Sequence, residues 1–346
     1  MKNPSQLTIS ILTPAWNRSK FLKRVHDSIC AQKSTRLEWI IVDDGSVDDT
    51  ESVIQHLMID SPYPVTYVRF SQRVGKSRAD NILLDLAQGS FIMWCDSDDA
   101  IKPMAIEYLL NAWSEVPVNE KEGYIGCIGM CEDEAGRIQS TGSNNFSAFV
   151  STWGDLGRLH GRRGDMCIMI RRDIVGDHRF AENDLVMTES GFWHQFMSMK
   201  VVCIPNVLKV MCRDTENRIS SSRRMEYCRG KAYAIAFADS ERYHELDLLD
   251  QLSLSSRYHR YSLHGDLSFS ESNRLFIGKK SWAYYAGLVP GLLLALKDIL
   301  QGRVVKTHLI FEEGRTAKMT VKRNALAEKK WESINRSTKE SLQKSS

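Results

Sequence analysis

Several signatures are missing from this 346-residue chain. Its eight cysteines form no Cys-X-X-Cys pair, and several fall inside predicted strands. That usage excludes a disulfide framework and fits buried thiols in a reducing cytoplasm. The nine histidines are scattered without zinc spacing, so no structural zinc site is expected. A net charge of +3 is too small to argue for nucleic acid, and no basic run is interleaved with aromatics. Residues 1–6 are polar and lack the charged-then-apolar layout of a secretory leader,. What is present is ordinary globular composition, 42% hydrophobic and 26% charged. It is enough for one catalytic domain of about 220 residues plus an appended segment.

The most informative stretch is Gly89-Ser90-Phe91-Ile92-Met93-Trp94-Cys95-Asp96-Ser97-Asp98-Asp99. Residues 91–95 are a short apolar run, entered from glycine and stopped by carboxylates, as in a fully buried strand. Three acids at a strand end repel one another, and a bound divalent cation is the natural compensation. Oxygen-only ligands favour Mg2+ or Mn2+, which keep several waters and bridge substrate phosphates. The competing reading is a solvated acidic loop that caps the following helix.

The same layout occurs earlier. Residues 37–42 form an apolar run ending at Asp43-Asp44-Gly45-Ser46, and residues 7–12 form another ending at Thr13-Pro14-Ala15-Trp16-Asn17-Arg18. Residues 65–70 make a further predicted strand. Between these runs, Phe21, Leu22, Val25 and Ile29, then residues 51–58, then Ala79, Ile82, Leu83, Leu86 and Ala87 have helical spacing,. Four strands alternating with three helices predict an α/β fold with a parallel, doubly wound sheet. Ligands of such sheets bind outside the carboxyl ends of the strands, where the aspartates lie.

In order along the chain, the Thr8–Arg18 segment, the Ile40–Thr50 segment, Gly75-Lys76-Ser77 with Asn81, and the acidic strand end resemble the signature of family 2 glycosyltransferases. The resemblance implies a GT-A fold, Rossmann-like and mostly parallel, with helices flanking the central sheet. It also implies inverting transfer of a sugar from a nucleotide-diphosphate donor, UDP-linked by expectation. Trp16 would offer a stacking face to the base, and Asp43 or Asp44 would accept from its edge. Pro14, Asn17, Lys76, Asn81, Asp96 and Ser97 complete the expected donor site, with Asp96 and Asp98 as metal ligands. Core packing is the alternative reading of Trp16.

The acceptor half departs from the family pattern. The family places a Glu-Asp pair at the start of a helix beneath the acceptor, with the Asp as general base. Here the pair reads Glu189-Ser190, and serine cannot be the base at neutral pH. Glu189 is the first candidate and Asp184 a second, since geometry decides such roles before residue type. A glutamate that merely favours a helix N-terminus is the competing reading. In the closing motif Arg213 matches the family arginine that approaches the diphosphate. Thr215 stands at the histidine position and leaves Asp214 or water as substitutes, and Arg218 is a second candidate phosphate partner.

The expected organisation is a catalytic domain over 1–220, a helical region over 221–336 and a disordered tail over 337–346. Within the helical region, the 15 residues 282–296 are apolar and aromatic but shorter than the roughly 20 needed to span a bilayer,. Gly287, Pro290 and Gly291 read as interruptions. Nine Lys or Arg against four Asp or Glu follow in 297–330, as in a segment that contacts an anionic leaflet. A helical hairpin packed on the catalytic domain is the competing reading. Together these features predict a cytoplasmic enzyme peripheral to the inner membrane. It would add a hexosyl or N-acetylhexosaminyl unit to a saccharide or lipid-linked acceptor in cell-surface polysaccharide synthesis, lipopolysaccharide among them. The rival readings are a weakly catalytic nucleotide-sugar-binding scaffold and a nucleotidyltransferase on a related sheet.

Overall fold

The computed structural model describes residues 9–33, 36–142, 146–162, 164–182, 189–212, 223–236, 243–276, 280–301, 304–305 and 317–328. The chain divides into two compact units. The first comprises Met1–His178, Phe196–Asp214 and Thr316–Ser346; the second comprises Arg179–Gln195 and Thr215–Arg315.

In the first unit the predicted alternation is present: β1 (Ile9–Ala15), α1 (Leu22–Cys30), β2 (Leu37–Asp43), α2 (Thr50–Asp60), β3 (Val65–Phe70), α3 (Lys76–Leu86) and β4 (Phe91–Trp94). Their spatial order is β3-β2-β1-β4, all parallel. These strands are covered on both faces, which is why they read as continuous apolar runs. Ile11, Leu12, Ile41 and Val42 have no exposed surface, and burying each such side chain contributes about 1.5–3 kcal/mol. Because β1 pairs with β2 on one side and β4 on the other, the order reverses beside β1. A crevice opens at such a switch point, at the carboxyl ends.

Beyond β4 the chain forms β5 (Ala100–Ile101), α4 (Ala105–Ser114), β6 (Tyr124–Asp133), β7 (Phe149–Thr152), α5 (Asp155–Leu159), β8 (Met166–Arg171) and α6 (Arg172–Val175). After α7 (Ser190–His194) of the second unit comes β9 (Lys200–Met211). The sheet continues β4-β8-β6-β9-β5, with β8 antiparallel to both neighbours and β5 and β7 antiparallel to β9. The half beside the switch point is therefore parallel and the other half is largely antiparallel.

The second unit holds β10 (Arg223–Arg224), α8 (Met225–Ala234), α9 (Leu248–His264), α10 (Phe269–Leu275), α11 (Trp282–Ala286), α12 (Leu288–Leu300) and β11 (Val304–Val305). Its core gathers Tyr243, Tyr258, Phe276 and Tyr284. The glycines of the apolar run do not interrupt it. A Cβ on Gly287 would stand 2.4 Å from Ser255 Cβ, and one on Gly291 would stand 2.8 Å from the Ser256 carbonyl oxygen. Both glycines therefore let α12 approach the α9 backbone closely. Pro290 lies in the first turn of α12, where no intrahelical donor is needed,.

The region expected to be helical from 221 to 336 also contains strands. The last, β12 (Met319–Arg323), belongs to the first unit and pairs antiparallel with β3. Asn324 fastens this edge: its Oδ1 accepts the Val65 amide at 3.0 Å and its Nδ2 donates to the Tyr63 carbonyl at 2.8 Å. The exposed edge of β3 supplies what the sequence of 319–323 lacks, a partner for its backbone.

Candidate active site

Four strand ends converge at the switch point. The Asp44 amide donates to the Ala15 carbonyl at 2.8 Å, and the Cys95 amide donates to Leu12 at 3.0 Å. Thr13 Oγ1 donates to the Cys95 carbonyl at 2.8 Å and receives the Trp39 indole N–H at 2.9 Å. The loops after β1, β2 and β4 are thereby fixed side by side. Pro14 is paired within β1, opposite Val42.

The loop after β1 is stapled to the loop after β2. Asn17 adopts a left-handed conformation, φ 53°, which a short amide side chain tolerates. Its amide donates to Ser46 Oγ at 2.8 Å, and its Oδ1 accepts the Val47 amide at 2.9 Å. Gly45, φ +70°, lies so close to the loop after β3 that a Cβ would meet the Gln72 carbonyl carbon at 2.4 Å.

The paired aspartates after β2 are both engaged. Asp43 has no exposed surface. It accepts the Ser46 amide and the Tyr67 hydroxyl, each at 2.8 Å, with Arg69 Nε 3.6 Å away. Asp44 receives the Val74 and Gly75 amides at the entry to α3 and stands 3.5 Å from Arg73 Nε. Burial pushes its pKa up, against the pull of those amides and of Arg73. Asp43 is thus a structural brace, and Asp44 faces the loop that carries Arg73.

Arg73 was missed by reasoning from motifs. Its guanidinium carbon lies 3.8 Å from the centre of the Trp16 ring, a close cation–π contact. One face of the indole expected to meet a base is thus occupied by an arginine that also reaches Asp44. The only signal in the sequence was a basic residue two positions before Gly75.

The acidic turn after β4 is built differently from three equivalent ligands. Asp99 is paired with Lys209 of β9: Nζ lies 2.8 Å from Oδ2, with side-chain exposures of 8% for Lys209 and 3% for Asp99. Burial works against the Lys209 charge, but Asp99, Cys131 and Asp96 outweigh it and hold its pKa well above the ordinary value. Burial and the Asp96 and Asp98 carboxylates push Asp99 up to about 6, with Lys209 opposing. Asp96 goes the other way. Burial would raise it, yet Lys76, Lys209 and Arg18 keep it below the usual carboxylate range and therefore ionised. Asp98 lies 3.8 Å from Arg18 Nε. Ser97 is buried within the turn.

Lys76 opens α3 and pairs with Asp80 at 2.8 Å, while the Trp94 indole donates to the other Asp80 oxygen at 3.2 Å. Asp80 is a second residue missed in the sequence: fully buried, it orients the lysine that influences Asp96. Asn81, one residue on, is also buried.

Among the described residues no three His, Cys, Asp or Glu side chains converge to hold a metal ion by themselves. Asp96 and Asp98 nevertheless suit a hard cation. They offer only oxygen, Asp96 is held ionised, and Mg2+ or Mn2+ commonly take one or two carboxylates and draw the remaining ligands from water and substrate phosphates. Glu189 is exposed and immediately precedes α7, where its carbonyl accepts the Phe192 and Trp193 amides. It belongs to the second unit. Arg213, and with it Asp184, Asp214, Thr215 and Arg218, lies outside the described residues.

Residues 10–179 match the sequence profile of glycosyl transferase family 2. The chain carries a family 2 glycosyltransferase domain. Among curated relatives of this domain, the GalNAc(5)-diNAcBac-PP-undecaprenol beta-1,3-glucosyltransferase of Campylobacter jejuni is 33% identical over 123 residues, 36% of this chain and 38% of that protein. The chondroitin synthase of Escherichia coli is 33% identical over 141 residues, 39% of this chain and 19% of the relative. The matches thus span well under half the length of these relatives. Among solved structures, S. aureus TarS in complex with UDP-GlcNAc superposes with a TM-score of 0.53 at 15% identity, covering 90% of this chain and 99% of that one. The mannosyltransferase PcManGT from Pyrobaculum calidifontis, in complex with GDP-Man and Mn2+, gives 0.50 at 16% identity, covering 85% and 88%. At such identities the likeness is one of fold, and that fold is GT-A.

Proposed function

We propose that the chain is an inverting glycosyltransferase that moves a hexosyl or N-acetylhexosaminyl unit from a nucleotide-diphosphate sugar, UDP-linked, to a saccharide or lipid-linked saccharide acceptor in bacterial cell-surface polysaccharide synthesis. The observation that carries this reading is the acidic turn at the switch point of a family 2 domain. There Lys209 neutralises Asp99, while Asp96 is held ionised by Lys76, Lys209 and Arg18, and Asp98 stands 3.8 Å from Arg18 Nε.

Trp16 and Arg73 would hold the base, with Asp44 beside them. Lys76, Arg18 and Arg213 would offset diphosphate charge. Asp96 and Asp98 would hold Mg2+ or Mn2+, which when bound supplies Lewis-acid stabilisation of the leaving diphosphate. Glu189 would take the acceptor hydroxyl proton as that oxygen bonds to the anomeric carbon and the bond to the diphosphate breaks, which inverts the centre. Peripheral contact with the cytoplasmic face of the inner membrane would bring a lipid-linked acceptor within reach.

The test is a panel of nucleotide sugars with Mn2+, read by thermal shift and by release of nucleoside diphosphate. The reading expects one donor to stabilise the protein and to be turned over, faster with acceptor. Binding without turnover supports the scaffold instead, as Ser190 at the usual base position would suggest. No stabilisation by any nucleotide sugar refutes the donor site itself.

A further inference from the structure

The run from Trp282 to Leu300 is helical throughout apart from a turn at Gly287, whose φ and ψ remain helical. Its two sides differ. Gly287, Gly291, Ala295 and Asp298 face α9, and Asp298 is fully buried there between Arg260 and His264, whose Nε2 is 3.0 Å from Oδ2. On the other side Val289, Leu292, Leu293, Leu296 and Leu300 are exposed, Leu293 by 63%. At 3.6 residues per turn these five fall within about 100° of one another. Trp282, 64% exposed, and Tyr285 extend the same stripe at its amino-terminal end.

We infer that this stripe is a membrane-contact surface and that α12 lies in the plane of an anionic leaflet with its outer face among the acyl chains. Three observations select that occupant. Residues 282–296 contain no charged side chain, whereas a protein interface carries a polar rim around its apolar centre. Aromatic residues sit at one end of the stripe, as they do at membrane–water boundaries. The exposed Lys297 closes the other end of the stripe, a charge that an anionic surface attracts; Lys322 and Arg323 of the expected basic flank lie instead in β12 of the first unit.

The same geometry excludes a crossing helix, although the segment is 19 residues long and apolar enough to span. Its inner face is locked to α9, so insertion across the bilayer would carry Arg257, His259, Arg260 and His264 into hydrocarbon. Ionisable groups at that depth are costly. A helix with one face bound to protein and the other apolar is suited to the interface. Such seating, which rests on the membrane-side part of the proposed function, would hold the enzyme at the surface where a lipid-linked acceptor presents its saccharide.

The test is flotation of the full chain with vesicles of phosphatidylcholine alone or mixed with phosphatidylglycerol. Leu292→Glu combined with Leu296→Glu should cut partitioning to the mixed vesicles at least about tenfold, since two buried leucines are lost and two charges added. Salt should weaken binding only in part, because the apolar contribution is not screened. A second measurement does not depend on that variant folding. Cys30 is the one cysteine that is not buried; in a Cys30→Ser background, fluorophores on Leu293→Cys and Leu300→Cys should be quenched by lipid-borne quenchers at similar shallow depths. Undiminished flotation of a folded double variant, a steep depth gradient along α12, or a change in oligomeric state without vesicle binding would each overturn the inference. Because flotation needs no sugar donor, vesicle binding without turnover leaves this surface standing while refuting the transferase reading.

Discussion

Lys209→Met is the substitution whose consequence follows most directly from the structure. It removes the ammonium 2.8 Å from Asp99 and leaves a carboxyl with 3% side-chain exposure beside Asp96 and Asp98. Breaking a buried pair from one side typically costs about 3–5 kcal/mol. Uptake of a proton by Asp99 limits that loss: because wild type already holds Asp99 at about 6, protonating it in the fold at pH 7 costs about 1.4 kcal/mol, at 1.36 kcal/mol per unit. At pH 5 Asp99 is already protonated in wild type, so by this route the cost falls to about zero. Urea unfolding of wild type and variant at the two pH values measures both numbers. Lys209→Met combined with Asp99→Asn should recover most of the loss at pH 7, because no buried charge is then left alone. A single variant that costs under about 1 kcal/mol at pH 7, or a double variant no more stable than the single one, would refute the claim that this pair holds the acidic turn.

Asp98→Asn should abolish metal-dependent donor binding while leaving the unfolding midpoint unchanged, as it removes an anionic oxygen but little volume; calorimetry with a nucleoside diphosphate and Mn2+ would reject the assignment by finding equal affinity. Glu189→Gln should lower transfer by about 100-fold to 10,000-fold with donor affinity retained, and near-normal turnover would move the base to another acid. Ser190→Asp is a companion: a faster enzyme would mean that the native site lacks the family base, and a slower one that it is built around Glu189. His259 donates through Nε2 to the Tyr284 carbonyl at 2.9 Å, and burial keeps its pKa below the ordinary value although that carbonyl pulls it up. A histidine depressed in the fold binds fewer protons folded than unfolded. Its stabilising share is therefore present above about pH 6.5 and lost as pH falls through the folded value. The thermal midpoint of wild type should drop more than that of His259→Gln between pH 7 and pH 5; equal slopes would remove His259 from that dependence.

The parallel half of the sheet was legible because strands covered on both faces must be apolar along their whole length, and residues 65–70 were placed to the residue. Strand ends were less so: β1 continues through Pro14 to Ala15, because Pro14 sits opposite Val42 and needs no sequence signal to do so. The acids of the site were visible as a pattern, but their duties were not. Asp43 and Asp44 look alike in sequence, yet Tyr67 and Arg69 claim the first and the amides of Val74 and Gly75 the second. Those partners arrive from β3 and from the loop that follows it. Asp99 likewise looked like a third ligand until β9 brought Lys209 beside it from 110 positions away. A lone lysine in the otherwise apolar run of 207–211 was the available hint. Gly287 and Gly291 misled for the opposite reason, since close helix contact and helix breaking call for the same residue.

The pairing of β12 with β3 changes how the helical unit can be removed. Its larger segment, Thr215–Arg315, follows β9 and precedes β12, so that segment is an insertion with both ends anchored in the sheet. Cutting the chain ahead of Trp282 would discard the apolar helix and β12 together, baring the hydrogen-bonding edge of β3 and the amide that Asn324 now covers. Aggregation of such a fragment would report an open sheet edge and say nothing about lipid. Excision of 215–315 keeps the edge strand attached if the polar bridge that replaces it is long enough to cross from β9 to β12, seven strand spacings or about 34 Å,, and is the deletion by which the sheet's own competence to fold and bind nucleotide can be judged.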